Sequence, residues 1–252
     1  AAPVVDAQSG HWSPLSFKIV SANVLALSDS TAGLPESAPA DRAVRLDLQW
    51  HAQGIAAIGL QESRRNEGKI QTDHYVGFAS GAQICGKAHH YGCELWLHKH
   101  LAIDEDGCLT FSHFKAAVVV ADPRRLVVNL SHPQLNVSFV VLHVPCKSSS
   151  FSLEQLAAWW QDTRTLLQQA RLASLTWCMI DANAPLASEP TQFFQMHGAE
   201  VSNAQGRLFE EALQNMEWYV PTTMSWAHHG PHYTWTHPRG SQLRRDYVAC
   251  SR

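Results

Sequence analysis

Val137-Ser138-Phe139-Val140-Val141-Leu142-His143-Val144 is almost unbroken in apolar side chains. A strand with one wet face alternates apolar and polar residues. A run without alternation, and too short for a typical helix, fits a strand covered on both faces. Similar β-type runs recur at Leu15–Ala22, Ile55–Leu60, Cys93–His98, Ala116–Ala121, Leu126–Leu130 and Leu175–Ile180. Helical patterns stand between some of them. Asp41–Gln53 follows Pro39, with Asp41 as the expected N-cap and Val44, Leu48 and Ala52 spaced four apart. Ser152–Leu172 carries a capping-box pair, Ser152 and Gln155, and an apolar face of Leu156, Trp159, Trp160, Thr163, Leu166 and Leu167. Gln205–Asn215 reads as a third helix. Strict strand–helix alternation would predict one parallel sheet. The run of strands from about Tyr75 to Val144 without a helix predicts instead an α/β four-layer sandwich, two packed mixed sheets flanked by helices.

The 252 residues suit one domain, with 45% hydrophobic and 16% charged residues. A formal charge of −3 excludes a globally basic nucleic-acid binder but leaves room for local cations. None of the six cysteines forms a C-x-x-C pair, so free buried thiols are expected rather than a zinc framework. Ala1–Gly10 lacks the pattern of a signal peptide, and no run reaches the ~20 apolar residues of a membrane helix. The absent initiator Met points to a processed chain, a domain of a longer polyprotein, or a fragment.

Polar residues close several apolar runs. Phe17–Ala22 ends in Asn23, Ile55–Leu60 in Gln61-Glu62, Phe139–Leu142 in His143-Val144-Pro145, and Leu175–Ile180 in Asp181-Ala182-Asn183. Each has an ordinary alternative: a turn amide, a helix-start carboxylate, a satisfied core histidine, a turn. Taken together they offer carboxylates from separate strands, amides and an imidazole. Phosphodiester hydrolysis uses these groups: oxygen ligands for a hard cation such as Mg²⁺, and an acidic group to take a proton from water.

In this order the residues resemble the endonuclease/exonuclease/phosphatase superfamily, over Phe17 to Val248. The matching segments are Ser21-Ala22-Asn23-Val24, Gly59-Leu60-Gln61-Glu62-Ser63-Arg64, Ile180-Asp181-Ala182-Asn183 and Arg245-Asp246-Tyr247-Val248. The resemblance implies Glu62 as principal ligand of Mg²⁺ or Mn²⁺, with Asn23 supporting the metal or a phosphate oxygen. It implies Asp181 aligning or deprotonating the attacking water, Asn183 bonding the phosphoryl group, and His143 touching the phosphate. Asp246 would orient a catalytic imidazole. Arg64, Lys147, Thr234 and Arg245 are the expected substrate contacts. The retrotransposon-type branch looks most similar, through Gln61-Glu62-Ser63-Arg64, Gly92–Leu97, Tyr233–Thr236 and the Arg-Asp-Tyr-Val ending. It implies a nuclear, DNA-nicking endonuclease leaving 3′-hydroxyl and 5′-phosphate ends, with a reverse transcriptase in the same polypeptide and no membrane. An RNA or small-molecule phosphoesterase, or a remnant that only binds nucleic acid, stays open.

The family's closing Asp-His pair falls about twenty residues beyond the position of Asp246, and this sequence ends at Arg252. The expectation is a C-terminally incomplete domain lacking the final strand. Among other features, Trp226 and the His228–His232 patch read as a stacking or groove-facing loop, or simply as exposed loop residues.

Overall fold

Ile55–Gln61 and Cys93–His98 have no exposed residue and lie side by side at the heart of one sheet. The computed structural model describes residues 3–5, 12–25, 27, 38–86, 88–147, 151–186, 189–228, 233–236, 240 and 242–251. The first sheet contains β1 (Lys18–Asn23), β2 (Ile55–Gln61), β3 (Gly68–Gln71), β4 (Tyr75–Ala79) and β5 (Cys93–His98), in the order β1-β2-β5-β4-β3. The second contains β6 (Lys115–Asp122), β7 (Arg125–His132), β8 (Leu135–His143), β9 (Leu175–Asp181) and β10 (Asp246–Cys250), in chain order across the sheet. Both are mixed: β1/β2 and β8/β9 run parallel, the other pairs antiparallel. Among the described residues no further strand pairs the outer edge of β1 or β10.

The period of two along β8 explains its continuous apolar run. Phe139 and Val141 point inward, meeting Leu95 and Leu97 of the other sheet and Met179 of β9. Val140 and Leu142 point outward, under Leu156 and Trp160 of α2 (Leu153–Gln169) and Phe209 of α3 (Ala204–Asn215). On the far side α1 (Ala38–Ala52) lays Ala43 and Trp50 over Ile58, Leu60 and Trp96. The result is an α/β sandwich of four layers. The capping box of α2 forms as the spacing predicts: Gln155 N–H donates to Ser152 Oγ at 3.3 Å, and Ser152 N–H to Gln155 Oε1 at 2.8 Å.

Three expectations are corrected. Asp41 lies inside α1, not at its N-cap, since the helix begins at Ala38. Val44 and Leu48 are about half exposed, at 53% and 51%, so they do not form the buried face. Buried Asp47 sits there instead, with Ala43 and Trp50. A carboxylate interrupts the apolar stripe because it has partners: Asp47 accepts from Thr72 Oγ1 and, at 2.7 Å, from His74 Nδ1. The thiols are all free, but Cys85, Cys108 and Cys146 are exposed, since they stand in loops and a short edge pair rather than in the core strands that hold Cys93 and Cys178. Among the described residues no helix is long and apolar enough to cross a membrane. The expected loop Ser28–Ala40 lies largely outside the described residues, as do His229–His232 and His237.

Next to Asp47, three imidazoles join α1 to the sheet. His51 stacks on His74 with centroids 3.7 Å apart, and its Nδ1 lies 2.9 Å from His98 Nε2. His98 Nδ1 accepts the N–H groups of His100 and Leu101, so that ring nitrogen carries no proton. Burial, then the charges of His51 and His74, pull His98 down from 6.5 to about 4. The unfolded chain therefore takes up this proton first. The stability contributed by neutral His98 is complete above about 6.5 and is lost as pH falls toward 4. Urea unfolding across that window is expected to show falling midpoints. His98→Asn, which keeps an acceptor but cannot titrate, is expected to flatten the fall. An equal slope in the variant would remove His98 from the acid response.

Candidate active site

Parallel pairing within each sheet brings the C-terminal ends of β1 and β2 to one rim, and those of β8 and β9 to another. Face-to-face packing superposes the two rims. Asn23, closing β1, donates from Nδ2 to Asp181 Oδ2 of the other sheet at 2.8 Å and to Glu62 Oε1 at 3.1 Å. One amide thus bridges two carboxylates that are far apart in sequence. Just beneath, Gln61 Nε2 reaches Met179 O at 3.3 Å and ties the sheets together. His143, closing β8, holds Nε2 3.6 Å from Glu62 Oε1 and 3.9 Å from Asp181 Oδ2. Asn183 donates its backbone N–H to Asp181 Oδ1 at 3.1 Å and its amide to Val144 O at 2.9 Å. Asp246 faces Asp181 directly across β9 and β10.

Backbone strain concentrates here. Glu62, Arg64 and Asn183 hold φ of 56°, 58° and 49°, the left-handed region that side chains rarely adopt. Close loop approach imposes it. Ser63 N–H donates to Gly92 O and Arg64 N–H to Tyr91 O, at 3.1 and 2.9 Å. A Cβ on Gly92 would stand 2.9 Å from Ser63 Oγ, so only glycine fits, and Gly92 itself has φ of 94°.

Burial dominates the electrostatics. It raises Asp181 above the usual carboxylate range against the pull of Asn23 and the Asn183 N–H, while the charge of Glu62 raises it further. Burial, then the charge of Asp181, likewise raises Asp246. Burial and the neighbouring Arg124 hold His143 low, so its imidazole is neutral near pH 7. Asp246 Oδ1 is buried without a hydrogen-bond partner. Among the described residues the imidazole at the rim, His143, faces Glu62 and Asp181 rather than Asp246.

A cleft of about 320 Å³ opens over this rim, lined by Glu62, Tyr91, Arg124, His143, Cys146 and Asn183 among others. The expected substrate contacts fare unevenly. Arg64 turns back onto Glu62 Oε2 at 3.3 Å. Arg245 is held by Glu200 Oε2 at 3.1 Å and by Arg244 O at 2.8 Å. Thr234 Oγ1 accepts the N–H groups of Arg245 and Asp246 at 2.9 and 3.0 Å, which fixes the start of β10. Lys147 is exposed, with its N–H on Gln205 Oε1. Residue type alone does not disclose these local partners. Tyr91 and Arg124 were missed by the sequence reading. Asp122-Pro123-Arg124-Arg125 falls between two of the β-type runs and drew no reading, and only the pairing of β6 with β7 carries it to the cleft.

The donors suit a hard cation. Glu62 and Asp181 present carboxylate oxygens, and Glu62 is 22% exposed toward the cleft. Among the described residues no three His, Cys, Asp or Glu side chains converge with ligating geometry. A cation here would be held by one or two carboxylates and completed by water and substrate, as Mg²⁺ commonly is. Asn23 would act by fixing both carboxylates through Nδ2, since its Oδ1 accepts Leu25 N–H at 3.1 Å.

These layers and this rim define the fold class: the chain has the endonuclease/exonuclease/phosphatase fold. Among solved structures it is similar to the AP endonuclease LMAP from Leishmania major, at 15% identity and TM-score 0.60, covering 93% of this chain and 78% of that one. It is also similar to an AP endonuclease from Archaeoglobus fulgidus, at 14% identity and TM-score 0.57, covering 94% and 87%. A third is the endonuclease domain of TRAS1, a telomere-specific non-LTR retrotransposon, at 13% identity and TM-score 0.53, covering 94% and 85%. No family model matches the sequence, and no curated protein does.

Proposed function

We propose that the chain is a divalent-metal-dependent phosphodiesterase acting on nucleic acid, with DNA nicking as its reaction. The observation that carries this reading is the meeting of Glu62, Asp181, Asn23 and His143 from two different sheets at one rim, where Glu62 and His143 line the cleft. A structural network needs no such cluster of buried charge at a solvent opening, and perturbed carboxylates in a cleft are a signature of function. The AP endonucleases and the retrotransposon endonuclease that share the fold support the choice of DNA.

Glu62 would hold Mg²⁺ or Mn²⁺, which supplies charge stabilisation to the phosphoryl oxygens and leaving group. Asp181, raised by burial, is suited to take a proton from the attacking water. Asn183 keeps one amide N–H for a phosphoryl oxygen after bonding Val144 O. Neutral His143 donates to the phosphate from Nε2. A place beside a reverse transcriptase in a retrotransposon polypeptide is the finer form of this proposal, resting on the Gln-Glu-Ser-Arg and Arg-Asp-Tyr-Val segments.

Supercoiled plasmid incubated with Mg²⁺ or Mn²⁺ is expected to become nicked, and a chelator to stop the reaction. Asp181→Asn is expected to slow nicking by about 10²–10⁴-fold, the usual worth of a positioned general base. Polyadenylate and an inositol phosphate serve as competing substrates. Faster turnover of either would move the substrate class, and chelator-resistant cleavage would remove the metal.

A further inference from the structure

We propose that Arg124, braced on Tyr91, forms a subsite for a second phosphate beside the scissile one, so that the cleft prefers a polynucleotide to a substrate with a single phosphate. This rests on the phosphodiesterase reading above.

The rim carries Glu62, Asp181 and Asp246, which repel a polyanion, so an uncompensated cation nearby has a large effect on binding. Most arginines around the cleft are neutralised. Arg64 is on Glu62, Arg245 on Glu200, and Arg125 on both Asp122 and Asp162. Arg124 differs. Its guanidinium lies 3.7 Å from the Tyr91 ring centroid, and Nη1 donates to His143 O at 3.2 Å. Both partners are uncharged. The nearby Asp122 carboxylate is occupied by Arg125 and by the backbone N–H of Arg124. Guanidinium has five N–H donors, and a planar fork of this kind matches phosphate oxygens two at a time.

Its placement separates it from the reacting centre. Arg124 grips His143 by the main-chain carbonyl, whereas Nε2 of the same residue turns toward the carboxylates. A phosphate on Arg124 therefore sits to one side of a phosphate over Glu62. The subsite is also preorganised. Gly92 N–H donates to Pro123 O at 2.8 Å and Arg64 N–H to Tyr91 O at 2.9 Å, stitching the Arg124 turn to the Glu62 loop.

Two substrates test this: a short oligonucleotide, and bis(4-nitrophenyl) phosphate, which carries one phosphate. Arg124→Gln keeps a donor for His143 O and removes the charge. On the oligonucleotide KM is expected to rise about tenfold and the salt dependence of binding to flatten by about one unit of slope. On the single-phosphate diester kcat/KM is expected to fall by a clearly smaller factor, set only by loss of the charge beside His143. Arg124→Lys, with charge retained, is expected to keep the wild-type salt slope. Equal losses on both substrates would assign Arg124 to positioning His143 alone, and no loss on either would remove the subsite; both results overturn the proposal. If wild-type protein cleaves neither substrate, the phosphodiesterase reading fails separately. Oligonucleotide binding by fluorescence anisotropy then decides Arg124: weaker, less salt-sensitive binding by the Gln variant supports the subsite, and equal binding overturns it.

Discussion

Exchanging Glu62 for glutamine is expected to lower metal-dependent phosphodiester cleavage about a thousandfold or more while the fold stands. A bound cation contributes several kcal/mol of charge stabilisation, and each ~1.4 kcal/mol is tenfold in rate. Glutamine keeps the shape and an oxygen for Asn23 but gives up the charge that would anchor the cation. Glycine at the same position sharpens the test. Glu62 holds a left-handed φ of 56°, and such conformations cost about 1–3 kcal/mol outside glycine. Its carboxylate also faces Asp181 through a single amide. Glu62→Gly is thus expected to melt at a higher temperature than wild type while losing the reaction. Plasmid nicking and thermal melting on the same preparation check both halves. Undiminished cleavage by either variant would take Glu62 out of the site.

Gly59→Ala is expected to lower activity about a hundredfold, from a position that touches no substrate. Gly59 lies in β2, three residues before Glu62, where Met179 of the other sheet packs against its backbone. An added Cβ would stand 2.4 Å from Met179 Cβ and 2.8 Å from its sulfur. The Cβ belongs to a strand and cannot swing away, so the sheets must part. Overpacking of this kind costs about 1–3 kcal/mol and sometimes more. The separation falls just beneath Glu62 and Asp181, and a misplacement of about 1 Å at a reacting centre can cost about a hundredfold in rate. Met179→Gly in the same chain removes the facing Cβ and is expected to recover part of the loss. Wild-type activity in Gly59→Ala would show that the rim tolerates a wider sheet spacing than this geometry implies.

Much of the architecture was legible because strand chemistry is local. Val137–Val144 and Ile55–Leu60 lack alternation because both faces are covered, one by the opposite sheet and one by a helix. Ser152 and Gln155 announce the start of α2 through bonds made within one turn. The face of α1 was misread for the opposite reason. Asp47 is buried only because Thr72 and His74 reach it from another element, and a periodicity argument sees a polar residue and rotates the helix. The partners of the cations were hidden for the same reason: Glu62 and Glu200 hold the charges of Arg64 and Arg245, while Arg124, in the turn between β6 and β7, has Tyr91 and a main-chain carbonyl as partners.

The sequence by itself determined most of the elements and their order, Gly68–Gln71 excepted, and the placing of Asn23, Glu62, His143 and Asp181 at strand ends, since each follows from side-chain pattern over a few neighbouring residues. Only the tertiary structure decided that these four ends share one rim, that Asn23 spans both carboxylates, and that burial lifts Asp181 and Asp246. Those properties depend on how two sheets stack and how much water they exclude, and desolvation and through-space charge act between residues that the chain keeps far apart.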